Sequence, residues 1–419
     1  VRIAIIGTGV SGLTCAHLLA PRHDVTVFET DKRPGGHANT VTVDVAGTTH
    51  PVDTGFIVFN ERNYPVFSRL LIELAIPSRP SDMSFSVADG PSGIEWRGSS
   101  PASIFAQPSN LARPAFLRML ADVARFNRSA RELLDAPEDL DLTLEDFLAR
   151  GRWSEGFRDW YLIPMGSAIW SSDPRVFATF PATAFARFFD NHGLLGLGDR
   201  PEWRTIVGGS QRYVRAILDP LGDRVRLGAG VSKVVRRGTS VEIATGLGDI
   251  EHFDHVILAT HSDEALTMLA DPTDLEREIL SAIRYRPNEA VLHTDATLLP
   301  RRPRARASWN WHQKGSTDAP TLTYDLSRLQ GLDTPTPICL TLNEPDAVNP
   351  ATVIRRMTYR HPVFDPAAMK AQRRHHEISG HDGLSFAGAY WGYGFHEDGA
   401  RSAVTVCQNL GVTWSRTPA

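Results

Sequence analysis

The sequence predicts an α/β protein: a buried parallel sheet assembled from separated stretches of chain, with an α+β domain interleaved between them. Three observations carry this. The short apolar run Arg2–Ile6 runs directly into a glycine-rich turn, Gly7-Thr8-Gly9-Val10-Ser11-Gly12, and then into helical sequence. A second strand, Asp24–Phe28, follows within about 30 residues and ends at an acid, Glu29. Two further apolar strands arrive much later, at 255–260 and 384–389, the last followed by a glycine-rich turn and a helix.

The first strand has no polar alternation, the pattern of a strand buried on both faces of a parallel sheet. The helix after the turn spans Leu13–Ala20 and stops at Pro21. In this context each glycine has a physical task. Gly7 permits the tight turn, Gly9 lets backbone approach a pyrophosphate, and Gly12 lets helix and strand pack closely. Val10 and Ser11 lie at the helix N-terminus, whose unpaired N–H groups suit phosphate. Glu29, with Thr30 beside it, is placed to accept hydrogen bonds from ribose hydroxyls and to disfavour a 2′-phosphate. The alternative, a glycine turn with a surface glutamate, does not require the strand–turn–helix–strand–acid order. The sequence therefore predicts a Rossmann-like domain.

Composition sets bounds. A chain of 419 residues holds two or three cores at roughly 150 residues each. With 42% hydrophobic and 22% charged residues it is ordinary globular sequence, which excludes disordered and collagen-like classes. The net charge of −4 supplies no field for nucleic acid. No apolar run approaches the ~20 residues of a membrane span. Cys15, Cys339 and Cys407 are far apart, so neither a disulfide framework nor a cysteine metal site is expected. The adjacent His375 and His376, without HExxH, do not suggest a metal either. The apolar start lacks a basic n-region and a small-residue cleavage site, so the expected location is cytoplasmic.

The stretch after Glu29 separates cofactors. Arg33-Pro34-Gly35-Gly36-His37-Ala38-Asn39-Thr40 resembles the RxGGxxxT extension of flavoproteins of the glutathione-reductase-like class, which a plain NAD dehydrogenase does not need. That resemblance implies that Gly35 and Gly36 lie along FAD, with Arg33, His37, Asn39 and Thr40 near its phosphates and ribose. Gly55-Phe56-Ile57 resembles the segment that passes the flavin ring. By the same resemblance Val231 lies at the adenine and Ala259 closes the sheet. The late turn runs from Gly388-Ala389 to Asp398-Gly399, and the helix Gly399–Leu410 is expected to aim its N-terminus at the flavin C2 carbonyl. Asp398 also reads as a good N-cap.

The whole chain resembles the flavin-containing amine oxidase superfamily, which includes monoamine oxidase, protoporphyrinogen oxidase and carotenoid desaturases. It is most similar to a bacterial subgroup described as predicted NAD/FAD-binding proteins. Stretches such as GGHANTV, DTGFIVFNERNYP, RFFDNHGLL, HPVFD and AYWGYGFHEDG carry the resemblance. Members of that subgroup are encoded beside cyclopropane-fatty-acyl-phospholipid synthases. This implies a small hydrophobic or lipid substrate, a lipid-modifying synthase or electron-transfer partner, and peripheral membrane contact. The expected division is 1–63, 210–283 and 381–419 for the FAD-binding domain, and 64–209 with 284–380 for the substrate domain.

In the substrate half, 83–87 and 94–96 read as a strand pair. Residues 111–134 read as an amphipathic helix with Phe116, Leu117, Leu120, Val123, Ala124 and Phe126 on its apolar side. Thr143-Leu144-Glu145-Asp146 signals a helix start. Phe177, Phe180, Phe185, Phe188 and Phe189 line either a core or an apolar tunnel. Arg301–Arg306 is either a solvated turn or a contact for anionic headgroups.

The family's flavin-side lysine has no match among Lys32, Lys233, Lys314 and Lys370, and no cysteine fits a covalent flavin link, so FAD should be dissociable. Tyr390, Trp391 and Tyr393 are available beside the ring, either as packing or as substrate contacts; extended backbone would put Trp391 and Tyr393 on one face. His396 leads the candidate proton carriers, with Glu397, and then His192 and Glu61. The expected activity is hydride transfer to or from carbon of a hydrophobic, fatty-acyl substrate. An amine oxidase releasing peroxide, a redox-neutral double-bond isomerase and a non-catalytic FAD-bound accessory protein are the alternatives.

Overall fold

The computed structural model describes residues 1–170, 178–196, 198, 200–246, 248–313 and 322–414. Phe177 and Lys314 of the sequence reading lie outside the described residues.

Five parallel strands form the first sheet, in the order Leu384–Phe386, His255–Leu258, Arg2–Ile6, Asp24–Glu29, Val225–Leu227. The central strand pairs Ile5 with Val27 on one side and with Ile257 on the other, so apolar residues fill both faces. One face is covered by the helices Val10–Leu19, Gln211–Leu218 and His396–Asn409. The other is covered by an antiparallel meander of Val231–Arg237, Ser240–Thr245 and Ile250–Phe253, with Phe28 edge-on to Phe253 at 6.0 Å. The helix Pro65–Glu73 joins the same core through Phe67, Leu70 and Leu71, so the core of this half reaches past residue 63.

The second sheet has seven strands, in the order Val353–Val363, Arg284–His293, Cys339–Leu342, Leu322–Asp325, Trp309–Gln313, Phe85–Asp89, Ile94–Arg97. It is antiparallel except where Trp309–Gln313 meets Phe85–Asp89. The helices Pro114–Asp135, Ile163–Trp170 and Ala182–Asn191 pack in its core cluster. Pro114 sets the start of the long helix two residues after a 3₁₀ turn ends, later than the apolar pattern suggests. Leu117 is exposed rather than packed, because Phe116, Met119, Phe126 and Ala130 hold the buried stripe. Thr143 caps its helix as expected: its hydroxyl accepts from Asp146 N at 3.1 Å.

Among the described residues no helix is long and apolar enough to cross a membrane. No group of three or more His, Cys, Asp or Glu side chains among them is arranged to hold a metal.

Candidate active site

The carboxyl ends of the central strands converge on the glycine turn. Gly7 sits at φ +104°, and a Cβ there would stand 2.7 Å from the Ala259 carbonyl oxygen. A Cβ on Gly12 would stand 2.0 Å from the Gly7 oxygen, so helix and strand touch through this glycine. Gly9 is different: a Cβ there meets nothing within 4 Å and would project into open space. That opening is the approach a pyrophosphate needs, with the N-terminus of the Val10–Leu19 helix behind it.

The second glycine loop is tied to this turn. The Gly35 N–H donates to the Thr8 hydroxyl at 2.9 Å, and the same hydroxyl donates to Glu29. Glu29 also accepts from Thr8 N and Asp31 N, both at 3.0 Å. Arg33 lines the cavity and is also tied to its own loop. Its guanidinium folds back onto the Pro34, Gly36 and Ala38 carbonyls and braces the loop. Asn39 and Thr40 turn inward as well. Asn39 donates to the Tyr359 hydroxyl at 2.9 Å, and Thr40 donates to Asp53 at 2.6 Å while accepting from Gln211 N. They brace the hairpin of Thr40–Val45 and Thr48–Asp53 and do not line the cavity.

One cavity of about 2160 Å³ runs from this cradle into the substrate half. That exceeds the roughly 300–1,000 Å³ typical of a single small ligand, so it has room for a dinucleotide and a second molecule. Gly7, Gly9, Val10, Ser11, Glu29, Thr30, Arg33, Gly36, His37, Gly55, Phe56, Ile57, Val231, Ala259, Gly388 and Ala389 line it. Gly12, Gly35, Asn39, Thr40, Glu397, Asp398 and Gly399 stand behind that lining.

The last helix begins at His396, three residues earlier than expected, with Phe395 as its N-cap. Asp398 is therefore not the cap but the third helical residue, reaching back to accept from the Tyr393 and Phe395 N–H groups, both at 3.0 Å. Gly399 lies in the first turn. A Cβ there would be 2.6 Å from Val10 Cγ1, so this glycine lets the two helix N-termini close on the same region. Residues 389–391 form a 3₁₀ turn instead of extended chain. This sends Tyr390 and Tyr393 to the cavity and packs Trp391 on His375, ring centroids 4.2 Å apart.

His396 lines the cavity, stacked on Phe56 with centroids 3.6 Å apart, and its Nε2 is 3.1 Å from the Tyr213 hydroxyl. Burial pushes its pKa down to about 3, so the imidazole is neutral. Glu397 points away from the cavity. Its carboxylate accepts from Val66 N at 3.1 Å and Phe67 N at 3.0 Å, closing the N-terminus of the Pro65–Glu73 helix. Burial nonetheless raises it to about 7. His192 lines the cavity between Phe188 and Trp203, and its Nδ1 lies 2.8 Å from the Phe188 carbonyl. Glu61 is exposed and does not line the cavity.

Sequence reasoning missed the Val353–Val363 strand. Tyr359, Arg360 and His361 line the cavity beside His37, whose ring centroid is 5.1 Å from Tyr359 and 5.4 Å from His361. His361 Nδ1 is fixed by Asn288 Nδ2 at 2.8 Å. The strand's alternation is weak, and only its HPVFD stretch offered a signal. Of the phenylalanine stripe, Phe180, Phe185 and Phe189 are core and Phe188 lines the cavity. In the basic loop, Arg302 pairs with Glu95 at 3.2 Å.

A five-stranded parallel sheet, a glycine cradle open at Gly9 and a second glycine loop locked to it define a dinucleotide-binding protein. The sequence model described as flavin containing amine oxidoreductase matches residues 10–324, and the chain belongs to that family. FAD is its cofactor and FAD-dependent oxidoreduction its class of activity. A protein of Mycobacterium tuberculosis named as a flavin-containing monoamine oxidase, AofH, is 28% identical over 342 residues, covering 78% of this chain and 71% of that protein. The fold is similar to that of cyclohexylamine oxidase from Brevibacterium oxydans, with TM-score 0.70, 16% identity and coverage of 98% and 99% of the two chains. It is equally similar to a CLA-producing fatty acid isomerase from P. acnes, with TM-score 0.69, 17% identity and 98% coverage of each.

Proposed function

We propose that this chain transfers a hydride to or from carbon of a hydrophobic, acyl-chain substrate. The observation that carries this is the second half of the cavity, walled by Trp96, Leu120, Val123, Tyr161, Met165, Ile169, Phe188, Leu194, Leu340 and Leu342. Such a wall favours an apolar chain through burial, at about 25 cal/mol per Å² of apolar surface.

Bound FAD supplies the hydride chemistry. The chain's residues do the rest. Gly9, Gly36 and the first-helix N–H groups would receive the pyrophosphate, and Glu29 the ribose. Phe56, Ile57, Tyr390 and Tyr393 line the same cavity as the cradle and would pack beside the bound cofactor or substrate. His396, neutral and held by Tyr213, is the proton-handling candidate at the cavity wall. All three cysteines are buried and none lines the cavity, which supports dissociable FAD. Electrons would be exchanged with oxygen or a partner protein, and a lipid-modifying synthase is the partner the subgroup resemblance suggests; peripheral membrane contact remains part of this reading.

The second reading is amine oxidation, favoured by AofH and by the presence of Tyr390 and Tyr393 in the cavity lining. Redox-neutral isomerisation of a fatty chain is the third, favoured by the fatty acid isomerase of the same fold. Anaerobic addition of acyl substrates and amines, followed at the flavin absorbance with mass analysis of the products, separates the three. Bleaching by acyl chains supports the proposal. Bleaching by amines alone supports the second reading, and chain rearrangement without net bleaching supports the third.

A further inference from the structure

The long helix Pro114–Asp135 presents Leu120, Val123, Ala124, Asn127 and Arg131 to the cavity. Their spacing of three and four residues makes one face, running about 16 Å along the helix from first to last. The face changes character along its length. It is aliphatic at Leu120, Val123 and Ala124, then amide, then guanidinium.

At the polar end, Arg131 is exposed while lining the cavity, which puts it at a mouth of the chamber, and its Nη2 donates to the carbonyl of Leu195, another lining residue, at 2.5 Å. Among the described residues it has no carboxylate partner. Asn127, one turn earlier, has a buried Oδ1 without a hydrogen-bond partner. Oxygen and nitrogen of such an amide are interchangeable by rotation, so it can equally turn its N–H₂ toward a ligand. Arg200 also lines the cavity, and the lining carboxylate Glu202 is paired with Arg204 at 2.6 Å. Arg131 and Arg200 therefore place two guanidinium groups in a lining that, apart from Asn127, is otherwise apolar along this helix.

We propose that the chamber takes a long acyl chain bearing a single anionic headgroup, held at the mouth by Arg131 with Asn127. This rests on the acyl-chain reading above and sharpens it. A guanidinium fork receives a carboxylate or phosphate and repels an ammonium, so the same geometry disfavours long-chain amines. The headgroup could belong to a free fatty acid or to a lysophospholipid, which share the anion and the chain.

The test uses the FAD-loaded protein and follows chamber tryptophan fluorescence, which reports binding without turnover. The probes are oleate, oleoyl lysophosphatidylglycerol, methyl oleate and oleylamine. The wild type should bind at least one of the two anions more tightly than methyl oleate, and oleylamine most weakly; the tighter anion identifies the source of the headgroup. Arg131→Gln should weaken that anion about tenfold or more while leaving methyl oleate within about twofold, which also shows that the chamber is folded. Arg131→Lys should recover part of the loss, and Asn127→Ala should show a smaller loss of the same sign. Equal binding of the anions and methyl oleate, or preference for oleylamine, overturns the headgroup assignment while leaving an apolar chamber. Failure of all four probes to bind overturns the acyl-chain reading as well.

Discussion

A Cβ on Gly36 would stand 3.2 Å from the Cα of Gly9, so the two glycine loops of the cradle meet backbone to backbone. The contact is tight on the Gly36 side, where φ is +57°, while the Gly9 side opens to the cavity. Substitutions at Gly9 and Gly12 should therefore fail differently. Gly9→Val should yield folded protein with little FAD, because its side chain enters the pyrophosphate's space. Gly12→Val should lower folded yield, because it collides with the Gly7 carbonyl. FAD per folded protein and melting temperature separate them, and a Gly9→Val protein with full FAD would displace the cradle from this turn.

His396 and Tyr213 form the next pair. Replacing His396 by Ala should leave FAD bound and slow turnover per flavin about 10²-fold or more if the imidazole handles a proton. Its pKa near 3 leaves it neutral from pH 5 to 9, so the rate profile should show no limb near 6.5 from this group. Lower thermal stability with normal turnover per flavin would assign His396 to holding the turn alone.

Much of this site was legible in the sequence because the turn's own constraints are local: Gly7 takes a positive φ and Gly12 meets the Gly7 carbonyl, while Gly9 leaves open the space a pyrophosphate would fill. The start of the last helix was not legible. Asp398 has the chemistry of an N-cap, but the helix begins at His396 because Asp398 can reach back to the Tyr393 and Phe395 N–H groups from its third position. The strand Val353–Val363 was missed for another reason. It lies at a sheet edge with mostly half-exposed residues, so no alternation marked Tyr359 or His361. The Phe180–Phe189 stripe is ambiguous from sequence because core and cavity wall demand the same residues.

Glu397 gives a contrasting prediction. Glu397→Ala should cost about 1–3 kcal/mol by leaving the Val66 and Phe67 N–H groups without their acceptor. Turnover per bound flavin should stay near normal, since the carboxylate faces away from the cavity. Thermal unfolding and flavin-normalised kinetics check this, and a large loss of turnover in stable protein would return Glu397 to the chemistry.

Stability should fall on acidification from about pH 6.5 toward 4. His192, His255, His293 and His375 are each held down to about 4, and His396 to about 3, chiefly by burial. Their folded pKa values lie below the unfolded value, so the unfolded chain takes up protons first and gains relative stability. Asp53, raised to about 6, and Glu397, raised to about 7, oppose this, because each is protonated in the folded protein before the unfolded one. His361, also held to about 4, makes six such histidines, and they outweigh these two acids together with Asp159, Asp325 and Asp398, which burial also raises. Melting temperature across this window should drop, and a rise on acidification would reverse the balance.

The central claim is that the chamber beyond the flavin cradle works on acyl chains. The direct measurement is flavin absorbance under anaerobic conditions during titration with oleoyl lipids and, separately, with a panel of primary and secondary amines. Reductive bleaching by an oleoyl lipid, with a matching two-hydrogen mass loss in the acyl chain and no bleaching by amines, is the predicted result for the oxidative direction. For the reductive direction, chemically reduced flavin should reoxidise on adding an unsaturated chain, with a two-hydrogen gain. Rapid bleaching by amines, with acyl chains inert in both directions, would contradict the account.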